Sequence, residues 1–271
     1  MPQKLTAAVR YTVILLLFAA AGSSRLSADA AFTLSTQKDI PLLCTGSAVL
    51  IAGTAADQLY PYPDWDKTIR DSAAVNRFDR TASACYNRPL DISATVLMWI
   101  MATAPAGLAV LPGTDARTVL VMYLETVMFS QGIKEGLKAF AHRWRPYTYH
   151  EDPSTHYAVP GDYVKSWPSG HTTTVFASAV FASYVYCSYY PDSPRRIPFT
   201  AACLTAAATV GTMRVLSGNH FITDVLSGAV IGSACGLLIP FVHRAGTGRP
   251  AQKYPVSFSF LPTGFLMKVM L

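Results

Sequence analysis

A 271-residue chain that is 51% hydrophobic and only 14% charged has too few charges to cover a soluble domain of its size, so it reads as a membrane protein. Its formal net charge of +6 would suit nucleic acid in a soluble protein, but the basic residues stand in short loops between apolar segments, and no nucleic-acid partner is expected. The five cysteines, Cys44, Cys85, Cys187, Cys203 and Cys235, are odd in number and lack C-x-x-C or Cys/His ligand spacing, which argues against a paired disulfide framework and a cysteine metal site.

In chain order, residues 1–30 have the parts of an export signal: Lys4 and Arg10, an apolar core from Tyr11 to Ala21, and Ala28-Asp29-Ala30 as a cleavage site. An uncleaved N-terminal anchor is the alternative. Residues 31–91 follow as a short apolar helix and a polar loop, residues 92–245 as a helical catalytic domain, and residues 246–271 as a tail with a short strand or no regular structure. Six apolar stretches are predicted, near 41–57, 92–112, 117–137, 171–190, 197–213 and 221–242. A span needs about 20 apolar residues, and the second, fourth and sixth qualify comfortably. The first is rich in small residues, the third carries Glu125 and Glu135, and the fifth is mostly Ala and Thr, which suits packing inside a bundle rather than against lipid. The fold class is therefore all-α, a membrane-embedded helical bundle with about six apolar helices.

Three polar clusters lie between these stretches. The first, Lys138-x6-Arg145-Pro146, pairs a mobile ammonium with a planar guanidinium fork suited to phosphate oxygens. The second, Pro168-Ser169-Gly170-His171, opens a helix, where free backbone N–H groups favour an anion and Gly170 lets it come close. Ser169 adds a hydroxyl and His171 a proton donor. The third, Arg214-x5-His220-x3-Asp224, places Asp224 one turn from His220, as an acceptor for its ring N–H that leaves the other nitrogen free to attack phosphorus. Ser217-Gly218-Asn219 is expected to break the chain before that helix and expose His220. His142, His150 and His156 match none of these positions and are expected to be solvated, while the loop from Tyr147 to Ser166, with Tyr147, Tyr149, Tyr157 and Tyr163, is a candidate to cover the site and meet a lipid head group.

Taken together, the clusters resemble the signature of the type 2 phosphatidic acid phosphatase superfamily, which includes bacterial acid phosphatases and vanadium haloperoxidases. One departure is Met213, where that family usually has serine before the arginine. The resemblance implies a vanadium-haloperoxidase-like catalytic core and a phosphohistidine on His220, oriented by Asp224. It also implies His171 as acid and then base, with Lys138, Arg145, Ser169, Gly170 and Arg214 on the phosphate and no metal or cofactor. The expected function is hydrolysis of a lipid phosphomonoester or pyrophosphate, the alternatives being phosphotransfer from the same site or a non-catalytic membrane binding protein. Arg195, Arg196 and the basic residues after 242 place their end of the bundle in the cytoplasm of a bacterial inner membrane and the clusters toward the periplasm.

Overall fold

The structure, a computed structural model, describes residues 31–59, 61–63, 68–150 and 161–245, and residues 256–261 and 264–269 as backbone only. The expected export signal therefore lies outside the described residues. Six long helices form the molecule: α1 (Thr36–Leu59), α2 (Arg88–Thr103), α3 (Ala116–Ala141), α4 (Gly170–Tyr189), α5 (Arg196–Leu216) and α6 (Ile222–Val242). An antiparallel hairpin of β1 (Val256–Leu261) and β2 (Gly264–Val269) follows.

Local chemistry sets the helix starts. Asn87 caps α2 by accepting from Leu90 N, Asp115 caps α3 through Arg117 N, and Ser169 caps α4 through Thr172 N. α3 stops at Ala141 because His142 adopts a left-handed conformation with φ 42°, four residues before Pro146. Arg145 then lies in extended chain, as the residue before a proline prefers.

Helix α4 is the central helix and packs against α2, α3, α5 and α6. Its closest neighbour is α6, and a glycine stripe explains why. A Cβ on Gly228 would lie 2.6 Å from Ser169 O, on Gly232 2.3 Å from Thr173 O, and on Gly236 2.5 Å from Ala177 O. Only glycine at these three positions lets the two backbones touch. Helix α1 meets α3 in the same manner, where a Cβ on Gly132 would lie 2.6 Å from Leu50 N.

Among the described residues, four helices are long and apolar enough to cross a membrane: α1, α2 with its 3-10 extension to Val110, α5 and α6. Their outward faces carry Ile40, Ile51, Val96, Ile100, Ile197, Leu226, Val230 and Leu238, all exposed. This corrects the expectation drawn from small residues. The stretches in α1 and α5 are mostly outward-facing, and in α1 only Asp39, Gly46 and Gly53 are buried. The fourth stretch, expected to span comfortably, is not among the four. Its Ser, Thr and Tyr content reflects burial among helices, with Ser178 Oγ bonded to Tyr123 Oη at 2.8 Å.

The helices alternate in direction, so one end of the bundle collects the C-termini of α1, α3 and α5 with the N-termini of α2, α4 and α6. Asp57 of α1 meets Lys165 there at 2.6 Å, and Asp224 O accepts from Ser169 N at 3.0 Å. At the other end the chain entering α1 pairs with the chain leaving α6. Phe32 and Arg244 form an antiparallel bridge, Thr33 N donates to His243 O at 2.9 Å, and Ala245 N donates to Ala31 O at 3.2 Å.

Candidate active site

All three sequence clusters converge on the first of these ends. Lys138 occupies the last turn of α3 with 9% of its surface exposed, and Arg145 follows in the connecting chain at 5%. Arg145 is held in place before any ligand arrives: Nε donates to Asp162 O at 2.8 Å, Nη2 to Asp162 Oδ1 at 2.9 Å, and Nη1 to Asn219 Oδ1 at 3.1 Å. Burial disfavours its charge, but Asp162 more than offsets this and holds the guanidinium pKa above its ordinary value.

The turn into α4 contains a cis Trp167–Pro168 peptide, and Trp167 Nε1 donates to Ser227 Oγ at 2.8 Å. Ser169 is fully buried and its Oγ accepts from Thr172 Oγ1 at 2.9 Å, so its own hydroxyl proton remains to be donated. The N–H groups of Gly170 and His171 belong to the first turn and have no intrahelical acceptor. Above them sit two ammonium groups: a Cβ on Gly170 would lie 3.5 Å from Lys138 Nζ and 3.7 Å from Lys134 Nζ.

The turn between α5 and α6 carries the third cluster. Gly218, at φ +70°, lies so close to the loop at Ala84 and Cys85 that a Cβ there would be 2.5 Å from Cys85 O. His220 follows and is 1% exposed, which corrects the expected exposed histidine. It also precedes the helix, because the cap is Phe221 and α6 begins at Ile222. Its Nδ1 lies 2.7 Å from Ser166 O. A carbonyl only accepts, so Nδ1 carries the proton and Nε2 keeps its lone pair. Asp224 Oδ2 is 3.8 Å from Nδ1 and makes no hydrogen bond to it. Instead it accepts from Ser166 Oγ at 2.5 Å and from Phe221 N at 2.8 Å. The orienting acceptor is thus the Ser166 carbonyl, with Asp224 steadying the segment on both sides of the ring.

Burial pushes the His220 pKa well below the ordinary 6.5, and Arg145, Arg214 and Lys138 push it the same way. The ring is therefore neutral at physiological pH and surrounded by cations. Arg214, 3% exposed, pairs through Nη1 with Asp91 Oδ1, while its buried Nε has no hydrogen-bond partner among the described residues. An unfilled guanidinium donor beside a neutral histidine is an arrangement that awaits an anion.

Several residues that sequence reasoning did not single out complete the site. Arg143 bridges Asp224 Oδ1 at 2.5 Å and Asp79 Oδ2 at 2.6 Å. Asp79 is fully buried and also accepts from Thr223 N at 3.0 Å, Thr223 Oγ1 at 2.7 Å and Asn76 Nδ2 at 2.6 Å. Burial alone would raise the Asp79 pKa, but these bonds outweigh it and hold the carboxyl below its ordinary range. On α2, Thr95 Oγ1 donates to Asp91 O at 2.9 Å and so accepts from His171 Nε2 at 2.9 Å. The polar loop before α2 is therefore folded onto the site through Asp79 and Cys85, and the first turn of α2 through Asp91. Its only sequence signal was acidic residues next to asparagine caps.

The remaining expectations divide. His150 Nε2 bonds Ser83 Oγ at 2.9 Å and His142 packs against the Tyr62 ring, while His156 and Tyr157 lie outside the described residues. Tyr147 and Tyr163 are buried in an aromatic cluster with Trp144, Tyr62 and Tyr86. Met213 packs into the apolar contact between α2, α4 and α5.

One end of the bundle thus buries a neutral histidine among the cationic side chains of Lys138, Arg145 and Arg214. Residues 119–246 match the model of the PAP2 superfamily. A 78-residue stretch is 36% identical to a lipid A 1-phosphatase of Porphyromonas gingivalis, covering 29% of this chain and 16% of that protein's length. Among solved structures, a transmembrane PAP2 type phosphatidylglycerolphosphate phosphatase from Bacillus subtilis matches at 20% identity and a TM-score of 0.44, over 88% of this chain and 96% of that one.

Proposed function

We propose that the protein is a membrane phosphatase that hydrolyses a lipid phosphomonoester or pyrophosphate through a phosphohistidine. The observation that carries this reading is the His220 ring, fixed through Nδ1–H on the Ser166 carbonyl, with its Nε2 lone pair free among Lys138, Arg145 and Arg214. Nε2 attacks phosphorus and the P–N bond forms as the P–O bond to the lipid breaks. Lys138, Arg145, Arg214, the Ser169 hydroxyl and the Gly170 N–H hold the three non-bridging oxygens, where charge accumulates. His171 donates its Nε2–H to Thr95, so Nδ1 carries the mobile proton: it takes one from an entering phosphate monoanion, gives it to the leaving alkoxide, and then takes one from the water that releases phosphate. The cations supply the charge that a metal ion supplies in other phosphatases, so no added metal is needed.

A lipid substrate is supported by the setting of the site at the end of a membrane bundle and by the lipid named for the Porphyromonas relative. Arg195, Arg196 and Arg244 lie at the opposite end, which the positive-inside bias assigns to the cytoplasm; the site then faces the periplasm of a bacterial inner membrane. Helix α1 sharpens this reading. It runs from that basic end to the site end, so a mature start exported by cleavage after Ala30 and an outward-facing site exclude each other. In the orientation proposed, residues 1–30 do not act as a cleaved export signal.

The test is phosphate release from a panel of lipid phosphates and pyrophosphates by purified protein without added metal. Wild type releases phosphate and His220→Ala does not; equal release by both sinks the mechanism. Labelling from outside the cell of a cysteine placed between 147 and 166 tests the orientation, and labelling only after lysis reverses it.

A further inference from the structure

A second buried cluster of ionisable side chains lies at the other end of the bundle, where the phosphate chemistry has no use for it. Asp39 of α1, Glu125 of α3 and His243 after α6 each offer a donor atom, all within 4.8 Å of one another. His243 and Glu125 are fully buried, and Asp39 is 9% exposed. From these three residues we infer a divalent-cation site, of the Zn2+ or Mn2+ class, built at the junction of α1, α3 and the end of α6.

The tautomer of His243 comes first. Nδ1 lies 2.8 Å from Ile239 O, which only accepts, so Nδ1 carries the proton and neutral Nε2 presents its lone pair. That lone pair faces Asp39 Oδ1 at 2.9 Å and Glu125 Oε2 at 3.3 Å. Oxygen and nitrogen lone pairs at these separations repel unless positive charge lies between them. No lysine or arginine among the described residues pairs with either carboxylate. A proton on Nε2 would satisfy Asp39 but leave Glu125 uncompensated, and both its oxygens lack a hydrogen-bond partner among the described residues. A buried carboxylate in that state is costly. A divalent ion satisfies all three donors and balances two carboxylates.

The geometry agrees with this assignment. For tetrahedral bonds of about 2.0 Å, neighbouring ligand atoms lie about 3.3 Å apart, close to the separations found. The outer contacts are also those of a ligand set. A histidine whose other nitrogen donates to a carbonyl is oriented for metal, and Asp39 has its second oxygen occupied by Ser35 N at 2.7 Å. One imidazole and two carboxylates favour a borderline ion over Mg2+, and three protein ligands leave a position for water. The ion would fasten the first helix to the bundle through side chains of three separate segments.

The test uses full-length protein in detergent, stripped with chelator, desalted and titrated calorimetrically with Zn2+. One saturable equivalent per chain is expected, with a rise in the melting temperature. Glu125→Gln and Asp39→Asn should each weaken binding at least 100-fold, whereas His220→Ala should bind as wild type does. The inference is overturned if wild type takes up no stoichiometric Zn2+, a result that does not depend on any variant folding. It is equally overturned if both carboxamide variants bind normally, or if His220→Ala abolishes uptake.

Discussion

Each end of the bundle buries a histidine whose Nδ1–H is spent on a backbone carbonyl, Ser166 O for His220 and Ile239 O for His243, and each histidine has a carboxylate close by. What differs is the charge around the free Nε2. Around His220 stand Lys138, Arg145 and Arg214, and its neighbour Asp224 is already occupied by Arg143. His243 faces Asp39 and Glu125 with no cation from lysine or arginine among the described residues. The same side chain in the same tautomer is thus prepared for an electrophilic anion at one end and for a cation at the other. The lesson is that residue type and burial do not define a histidine's role; the sign of the surrounding field does.

Four experiments break or sharpen this contrast, beginning with the largest effect. Arg214→Met removes the unfilled Nε donor and should lower kcat/KM for phosphate release by about 10^3-fold; unchanged kinetics would mean that the cationic field is incidental. Asp79→Asn removes the anchor of Arg143 and should cost about 3 kcal/mol of stability, as breakage of a buried ion pair does, measured by melting in detergent. A melting temperature equal to wild type would show that Asp224 alone holds Arg143.

The third experiment reads the field through pH. Because burial and the cations depress the His220 pKa, the folded site refuses a proton that an unfolded chain takes up below about 6.5, so stability falls as pH drops through that value. For the same reason the nucleophile stays unprotonated in mild acid. Arg145→Met should raise the His220 pKa and shift the acidic limb of kcat/KM to higher pH; a limb that does not move excludes His220 as its origin. The smallest effect is at Thr95. Thr95→Val removes one hydrogen bond worth about 1 kcal/mol and should reduce kcat about fivefold, with little change in KM, because His171 is less well oriented.

The legible and illegible parts of this molecule differ in kind. The six helices were visible because apolar runs of that length have few alternative folds. The three clusters were visible because phosphate chemistry needs particular residue types at short spacing. Position relative to lipid was not legible, since small residues serve lipid-facing α1 and α5 as readily as the α4–α6 contact, where the glycine spacing has a structural cause. Nor could sequence show that Asp79, far upstream in a polar loop, and Asp91, in the first turn of α2, come back to hold Arg143 and Arg214. His220 and Asp224 were correctly placed together, but the i, i+4 argument assumed a helix. His220 lies before that helix, so a backbone carbonyl takes the proton contact assigned to the carboxylate.

The antiparallel bridge between Phe32 and Arg244 closes the bundle into a ring whose entry and exit strands touch. A circular permutant that joins Ala245 to Ala31 through a short linker, with new ends opened in the turn at 190–195, would preserve all six helices and both buried clusters. Connectivity can thus be rewritten without disturbing either histidine.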